Sequence, residues 1–493
     1  MTSDLTNLSI FEMQHGLRAG DFSCLELVEA HLTRIQLLEP RIHAFITLLP
    51  ERSVAEAKAA DDQLVEARKK NRVETLPALL GIPIAVKDLI TVRDVRCSCG
   101  SRVLGDWVSP FTATAIQNLI DSGAIIIGKT NTDEFAMGSS TETSAFGPTY
   151  NPWDTKRVPG GSSGGSAAVV AARMVPAAIG SDTGGSIRQP AAFCGVTGIK
   201  PTYGRVSRYG LVAYGSSLDS MGAFARTAAE TALLLGIMAG KDPQDATCAS
   251  QPVPDYLGGV EKGVKGLKIG VPREYFIEGM QETVSTAIKV AIDSYESLGA
   301  EIVEISLPHT KYALPVYYLI APAEASANLA RYDGVRFGSR KSTGSMLDLF
   351  RDTRGDGFGP EVKRRIMLGT YALSAGYYDA YYGQAQKVRT LIKKDFDDAF
   401  RSVDLIACPV TPSTAFKIGE HGDDPLAMYL EDVFTLPANL AGIPGIAFPV
   451  GMDSEGLPIG MQLMGRPFQE EILFQAVQAF QNHSQHHKNH PTL

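Results

Sequence analysis

Two glycine- and serine-rich runs lie close together in this chain. They are Gly160-Gly-Ser-Ser-Gly-Gly-Ser166 and Gly180-Ser-Asp-Thr-Gly-Gly-Ser186-Ile-Arg-Gln-Pro190. Hydroxyls on so permissive a backbone suit three kinds of chemistry. Glycine amides at a helix start can cradle a phosphate, but no Gly-Lys-Ser/Thr follows either run, so the P-loop pattern is missing. Gly161-Ser-Ser163-Gly-Gly165 formally matches the G-x-S-x-G nucleophile elbow, whose serine needs a histidine base. The chain has no histidine between His43 and His309, which leaves His309 and His421, each in an ordinary loop. The third reading is a serine activated by lysine. Lys87 closes the apolar run Ile82-Pro-Ile-Ala-Val86, where scarce water disfavours the ammonium form and lets a neutral amine accept a proton. Taken alone, a lysine at a strand end reads as a solvated surface charge, so the residues by themselves leave the three readings open.

Lys87, Ser162 and Ser186, with the long string through Ser181-Asp-Thr-Gly-Gly-Ser-Ile-Arg-Gln-Pro-Ala191, resemble the amidase signature family. That resemblance implies an α/β fold with a large mixed β-sheet covered by helices on both faces. It also implies a Ser-cisSer-Lys arrangement: Ser186 as the acylated nucleophile, Ser162 as a bridging serine beside a non-proline cis peptide, and Lys87 as the terminal base. The backbone amides of Thr183, Gly184, Gly185 and Ser186 are then expected to hold the oxyanion, with glycines allowing close approach.

Further segments resemble one branch, the glutaminase (A) subunits of tRNA-dependent amidotransferases. They are Asn131-Thr-Asp-Glu-Phe-Ala-Met-Gly-Ser-Ser-Thr-Glu142, Ala323-Glu-Ala-Ser-Ala-Asn328, Lys363-Arg-Arg-Ile-Met-Leu-Gly369 and Tyr429-Leu-Glu-Asp-Val-Phe-Thr-Leu-Pro-Ala-Asn439. Free glutamine carries a carboxylate and an ammonium on its α-carbon, so its site should offer one cation and one anion. Arg365 could clamp the carboxylate bidentately and Asp432 could pair with the ammonium. By resemblance these two bind glutamine, together with Tyr317 or its neighbour. The branch implies partners as well. A B subunit would take up the ammonia and amidate misacylated Glu-tRNA(Gln) or Asp-tRNA(Asn) with ATP and magnesium, and a small C subunit would join A to B. Cofactors are therefore expected at the partner and none in this chain, which has no P-loop. A stand-alone amidase acting on small amides is the alternative.

The elements that must position these residues read as one α/β domain. Ser9-x-x-Glu12 and Ser23-x-x-Glu26 are capping boxes opening an N-terminal helical region over about 1–75. The second helix is expected to stop at Pro40, and 51–72 reads as a solvated surface helix with Glu66 and Lys70 paired. The Gly/Ser-rich core occupies about 79–225. Short apolar runs at 82–86, 124–127, 405–410, 443–450 and 459–464 suit buried strands, so strands from both ends should meet in one sheet around a helix-rich insertion at about 282–400. Residues 166–180 read as a core helix too short to span a bilayer, and 482–493, with four of nine histidines, as a disordered tail.

At 493 residues, with 44% hydrophobic and 20% charged residues, the chain can bury a sizeable core. The net charge of −8 gives no overall basic footprint for nucleic acid. The start of the chain lacks the basic-then-apolar layout of a signal peptide. Six scattered cysteines without metal or redox spacing read as reduced thiols, so the expected location is cytoplasmic.

Overall fold

The computed structural model describes residues 4–341, 344–422 and 424–493. Its strands are β1 (Phe45–Leu48), β2 (Pro83–Lys87), β3 (Ile125–Thr130), β4 (Ala177–Asp182), β5 (Thr197–Lys200) and β6 (Ser220–Ala225). They continue with β7 (Lys268–Pro272), β8 (Glu301–Ile305), β9 (Leu405–Pro409), β10 (Gly445–Met452) and β11 (Pro458–Gly465). All join one sheet in the order β1-β3-β2-β4-β6-β5-β10-β11-β9-β7-β8. The sheet is mixed: β2 runs parallel to β3 and β4, β7 is parallel to β8 and β9, and the remaining pairs are antiparallel.

Helices cover both faces, and the strand residues show why. Side chains alternate across a strand, and here both sets are apolar. Ile84, Val86 and Ile179 pack on one side with the helices Ile10–Ala19, Cys24–Ile42 and Ala228–Met238. Ala85 and Ala178 pack on the other with the helix Gly164–Ala171. Likewise Leu405 and Ala407 face the first cluster, whereas Ile406 faces the helices Ala313–Asn328 and Gln384–Ala399. The two central strands that lead into Lys87 and the second Gly/Ser run, β2 and β4, are buried along their whole length.

Both N-terminal capping boxes are formed. The second helix runs to Ile42, two residues past Pro40. The carbonyl that the proline cannot serve belongs to Gln36, an exposed residue where water can replace it. Two expectations need correction. Residues 166–180 are not one helix, because the chain leaves the helix after Ala171, turns through Arg173 at φ 56° and enters β4 at Ala177. The region 282–400 is rich in helix and also holds β8 at the sheet edge. The tail 482–493 is packed: the helix Glu470–His483 and a turn at His486–Lys488 continue the fold. His486 stacks on Phe480, and Leu493 packs against a buried cluster. No described helix is long and apolar enough to cross a membrane. All six cysteines are free thiols and five are buried.

Candidate active site

The sheet brings Lys87 and the two Gly/Ser runs together. Lys87 ends β2, and the neighbouring strand β4 ends at Asp182, directly before Thr183-Gly-Gly-Ser186. The Lys87 side chain is fully buried, and its Nζ lies 2.7 Å from Ser162 Oγ, 2.9 Å from Ser163 Oγ and 3.0 Å from Ser181 Oγ. Burial pushes its pKa down to about 7, although the nearby carboxylates of Asp133, Asp182 and Asp219 pull the other way. A lysine so placed can lose its proton near neutral pH and act as a base.

Ser162 and Ser163 sit on a tight turn whose Gly161–Ser162 peptide is cis. Gly161 is required by crowding: a Cβ there would meet Asp133 Oδ2 at 2.1 Å and Ser140 N at 2.6 Å. Its N–H donates to Gln189 Oε1 at 2.8 Å, and Gln189 Nε2 donates to the Ser139 carbonyl at 2.8 Å. One glutamine thus joins the cis turn to the Ser139 loop. Ser163 Oγ donates to the Ser181 carbonyl at 3.0 Å, so it must accept from Lys87. This removes the nucleophile-elbow reading, because Ser163 has lysine and backbone partners and no histidine. His309 is engaged elsewhere, with Asp395 at 2.8 Å, and His421 lies 3.8 Å from Glu431.

Ser186 lies at the opening of the turn. It is 7% exposed, and its hydroxyl makes no hydrogen bond within the described residues, including to Ser162. Its carbonyl accepts from Ser163 N–H at 3.2 Å, which ties the two serine turns together.

Asp182 organises this turn from beneath. Its carboxylate accepts from the N–H groups of Gly185 at 2.9 Å and Ile187 at 3.2 Å, from Arg188 Nε at 3.1 Å and from Asn439 Nδ2 at 2.9 Å. Burial opposes its charge, but Arg188, Lys200 and Asn439 outweigh burial and hold its pKa down to about 2. Arg188, itself fully buried, also donates to Asn439 Oδ1 at 2.6 Å and Gln462 Oε1 at 2.9 Å.

This network corrects one expected role. The Gly185 N–H is taken by Asp182 and is not a free oxyanion donor. The amides of Thr183, Gly184 and Ser186 have no protein acceptor among the described residues, so they remain the donors available to an oxyanion. Gly185 instead supplies shape, with φ 142° and Thr435 Oγ1 2.3 Å from where a Cβ would stand. The same Thr435 hydroxyl donates to the Gly184 carbonyl at 2.6 Å.

Arg365 and Asp432 approach this turn from the helix Pro360–Ala372 and from the segment before the helix Leu436–Ala441. Arg365 Nη1 donates to the Tyr214 hydroxyl at 2.7 Å. Tyr214 N–H donates to Asp219, which also accepts from Thr183 Oγ1 at 2.7 Å. The Asp432 carboxylate accepts from Ser139 Oγ, and its backbone carbonyl lies 3.0 Å from the Thr435 hydroxyl, whose proton has the Gly184 carbonyl as its nearer acceptor. Burial raises the Asp432 pKa to about 7, while Ser139 and the charge of Arg365 draw it back. Arg365 pairs with Glu361 and not with Asp432, so the cation and the anion remain two separate poles. Tyr317 and its neighbour divide the expected aromatic role. The Tyr317 ring lies 2.7 Å from where a Gly184 Cβ would stand, whereas Tyr318 lies under Arg365. Arg365 and Ser139 both line a cavity of about 400 Å³.

Sequence reading missed Asp182, Ser139, Gln189, Tyr214 and Glu361. Ser139 lies in a segment already singled out, and Glu361 stands one helical turn before Arg365. Asp182 and Gln189 also lie in the quoted Ser181–Ala191 string, where their neighbours drew the attention, whereas Tyr214 carries no local signal, because its partner Arg365 lies 151 residues away.

The family model for amidases matches residues 26–474. The A subunit of glutamyl-tRNA(Gln) amidotransferase from Chloroflexus aggregans is 56% identical over 491 residues, covering 100% of this chain and 99% of that one. Its namesake from a Roseiflexus species is 58% identical over 489 residues, covering 99% of both. The crystal structure of the Thermotoga maritima namesake is 42% identical and aligns with a TM-score of 0.80 over 98% of this chain and 96% of its own. The family model and relatives more than half identical span nearly the whole sequence, and the Thermotoga structure shares the fold over almost its full length: the chain belongs to the amidase family.

Proposed function

We propose that this chain is the glutamine-hydrolysing subunit of a glutamyl-tRNA(Gln) amidotransferase. The observation that carries the reading is a buried lysine, its pKa pushed down to about 7, bonded to the serines, with two separate charges nearby: Arg365, linked to Thr183 through Tyr214 and Asp219, and Asp432, whose carboxylate is bonded to Ser139. A neutral primary amide needs only the first. Free glutamine needs both.

The chemistry follows from the donors and acceptors. Neutral Lys87 takes the Ser162 proton as Ser162 takes the proton of Ser186, and Ser186 Oγ bonds to the side-chain amide carbon of glutamine. The oxygen of that carbon gains the negative charge and receives N–H groups of Thr183, Gly184 and Ser186. As the C–N bond breaks, the proton returns through Ser162 to the nitrogen and ammonia leaves. A glutamyl ester stays on Ser186. Water attacks the ester, giving its proton to the same relay, and glutamate departs with Ser186 restored. Arg365 holds the α-carboxylate throughout and Asp432 the α-ammonium.

The relatives are named as one subunit of an amidotransferase, and the ammonia needs a recipient. That recipient is a B subunit, joined through a C subunit, that amidates Glu-tRNA(Gln), or Asp-tRNA(Asn), with ATP and magnesium. This chain works beside it in the cytoplasm. The test is ammonia release from glutamine by this chain, alone and co-purified with its B and C subunits, followed by tRNA-dependent transamidation. Release that depends on glutamine and rises with the partners is expected. Broad hydrolysis of small amides that ignores the partners would identify a stand-alone amidase instead.

A further inference from the structure

The guanidinium of Arg365 is held in an unusual way for a ligand-binding arginine. Three tyrosine rings surround it, with the guanidinium carbon 5.7 Å from the ring centre of Tyr214, 5.3 Å from Tyr318 and 5.4 Å from Tyr429. Aromatic faces attract a cation but do not fix its rotation within the plane. Only hydrogen bonds do that, and two are made: Nη1 to the Tyr214 hydroxyl at 2.7 Å and Nε to Glu361 Oε1 at 2.8 Å. A guanidinium has five N–H donors in a rigid fork. Nη2 makes no hydrogen bond within the described residues, so the outer edge of the fork stays free for a carboxylate.

Glu361 is itself well anchored. The oxygen that takes Arg365 also accepts the Tyr429 hydroxyl at 2.9 Å, and the other oxygen takes Arg364. Tyr429 stacks on Tyr318 with ring centres 3.9 Å apart, closing the aromatic wall around the arginine. One carboxylate therefore fixes both the rotation of the fork and the ring that covers it.

We propose that Glu361 is a positioning residue for the α-carboxylate of glutamine. By occupying Nε it turns the Nη edge of Arg365 toward the substrate, and through Tyr429 it fixes one of the rings that flank the guanidinium. This rests on the reading that Arg365 binds glutamine. The substrate contact belongs to Arg365, and Glu361 acts through it.

The test uses the full chain in its assembled complex and the variants Glu361→Ala and Glu361→Gln. KM and kcat are measured for glutamine, and kcat/KM is measured for butyramide, a primary amide without either α-group. Losing a hydrogen bond to a charged group is expected to raise KM for glutamine about 10- to 100-fold, with a much smaller change in kcat. The preference for glutamine over butyramide should fall by the same factor. Glu361→Gln, which keeps an acceptor for Nε, should lie between wild type and Glu361→Ala. An unchanged or lower KM in both variants overturns the proposal. So does an equal loss on glutamine and butyramide, which marks a merely structural role. If the wild type itself fails to release ammonia from glutamine, the glutamine reading falls and takes this one with it. Wild-type activity with unaltered variants sinks the positioning role alone.

Discussion

Replacing Asp182 by asparagine should destabilise the protein more than any single exposed change, and the structure gives the scale. The Asp182 carboxylate neutralises Arg188, and both side chains are fully buried. Removing one member of a buried pair strands the other charge, which costs about 3–5 kcal/mol. An independent figure comes from titration. The Asp182 pKa falls from 3.8 to about 2 in the fold, which corresponds to roughly 2 kcal/mol favouring the folded, ionised state. The mutation should exceed that figure because it also loosens the amides of Gly185 and Ile187. Guanidinium unfolding of wild type and Asp182→Asn at pH 7 measures the difference. The double variant Asp182→Asn/Arg188→Met should recover part of the loss, since no buried cation remains. The pH dependence has a fixed sign. A depressed carboxyl pKa stabilises above pH about 4, and that contribution disappears as pH falls toward 2, so the two proteins should converge in acid. A loss below about 1 kcal/mol at pH 7, or one unchanged in acid, refutes the claim that ionised Asp182 neutralises buried Arg188 and holds the turn.

Three further outcomes follow from the site. Lys87 works as a base only when neutral, so kcat should rise with pH through about 7, and Lys87→Ala should lose about 10²- to 10⁴-fold in ammonia release. Asp432 can pair with the glutamine ammonium only when ionised. KM for glutamine should therefore climb as pH drops below about 7, and Asp432→Asn should raise KM and abolish that dependence. Gly185→Ala places a methyl 2.3 Å from Thr435 Oγ1 at a φ of 142°, so kcat should fall steeply even if circular dichroism shows a folded protein.

Much of this site was legible because its chemistry is local in sequence. The Gly/Ser runs present the serines but leave their roles open, and Lys87 alone reads as a surface charge; the resemblance to the amidase signature family chose among the readings, and the strand that Lys87 terminates is buried along its length. The capping boxes were equally readable, since each spans four residues. Burial order was harder. Residues 166–180 look uniformly apolar, and periodicity cannot tell a buried helix from a buried strand; Arg173 with its positive φ and Pro176 mark the break between the two. The role of Gly185 was misjudged because its N–H is claimed by Asp182, a contact that only the folded turn creates. Ser139 meets Asp432 and Arg188 meets Gln462 across hundreds of residues, and no spacing rule reaches so far. The tail misled by composition: its histidines look solvated, yet the terminal Leu493 finds a buried cluster to pack against.

The identity of the acylated oxygen tests the mechanism most directly. The purified complex can be quenched in acid during turnover of glutamine and digested, and the peptides weighed by mass spectrometry. A glutamyl ester on Ser186, absent from Ser186→Ala and slow to form in Lys87→Ala, is the expected result. An ester on Ser162 or Ser163, or ammonia release that survives Ser186→Ala, would contradict the assignment of nucleophile and base.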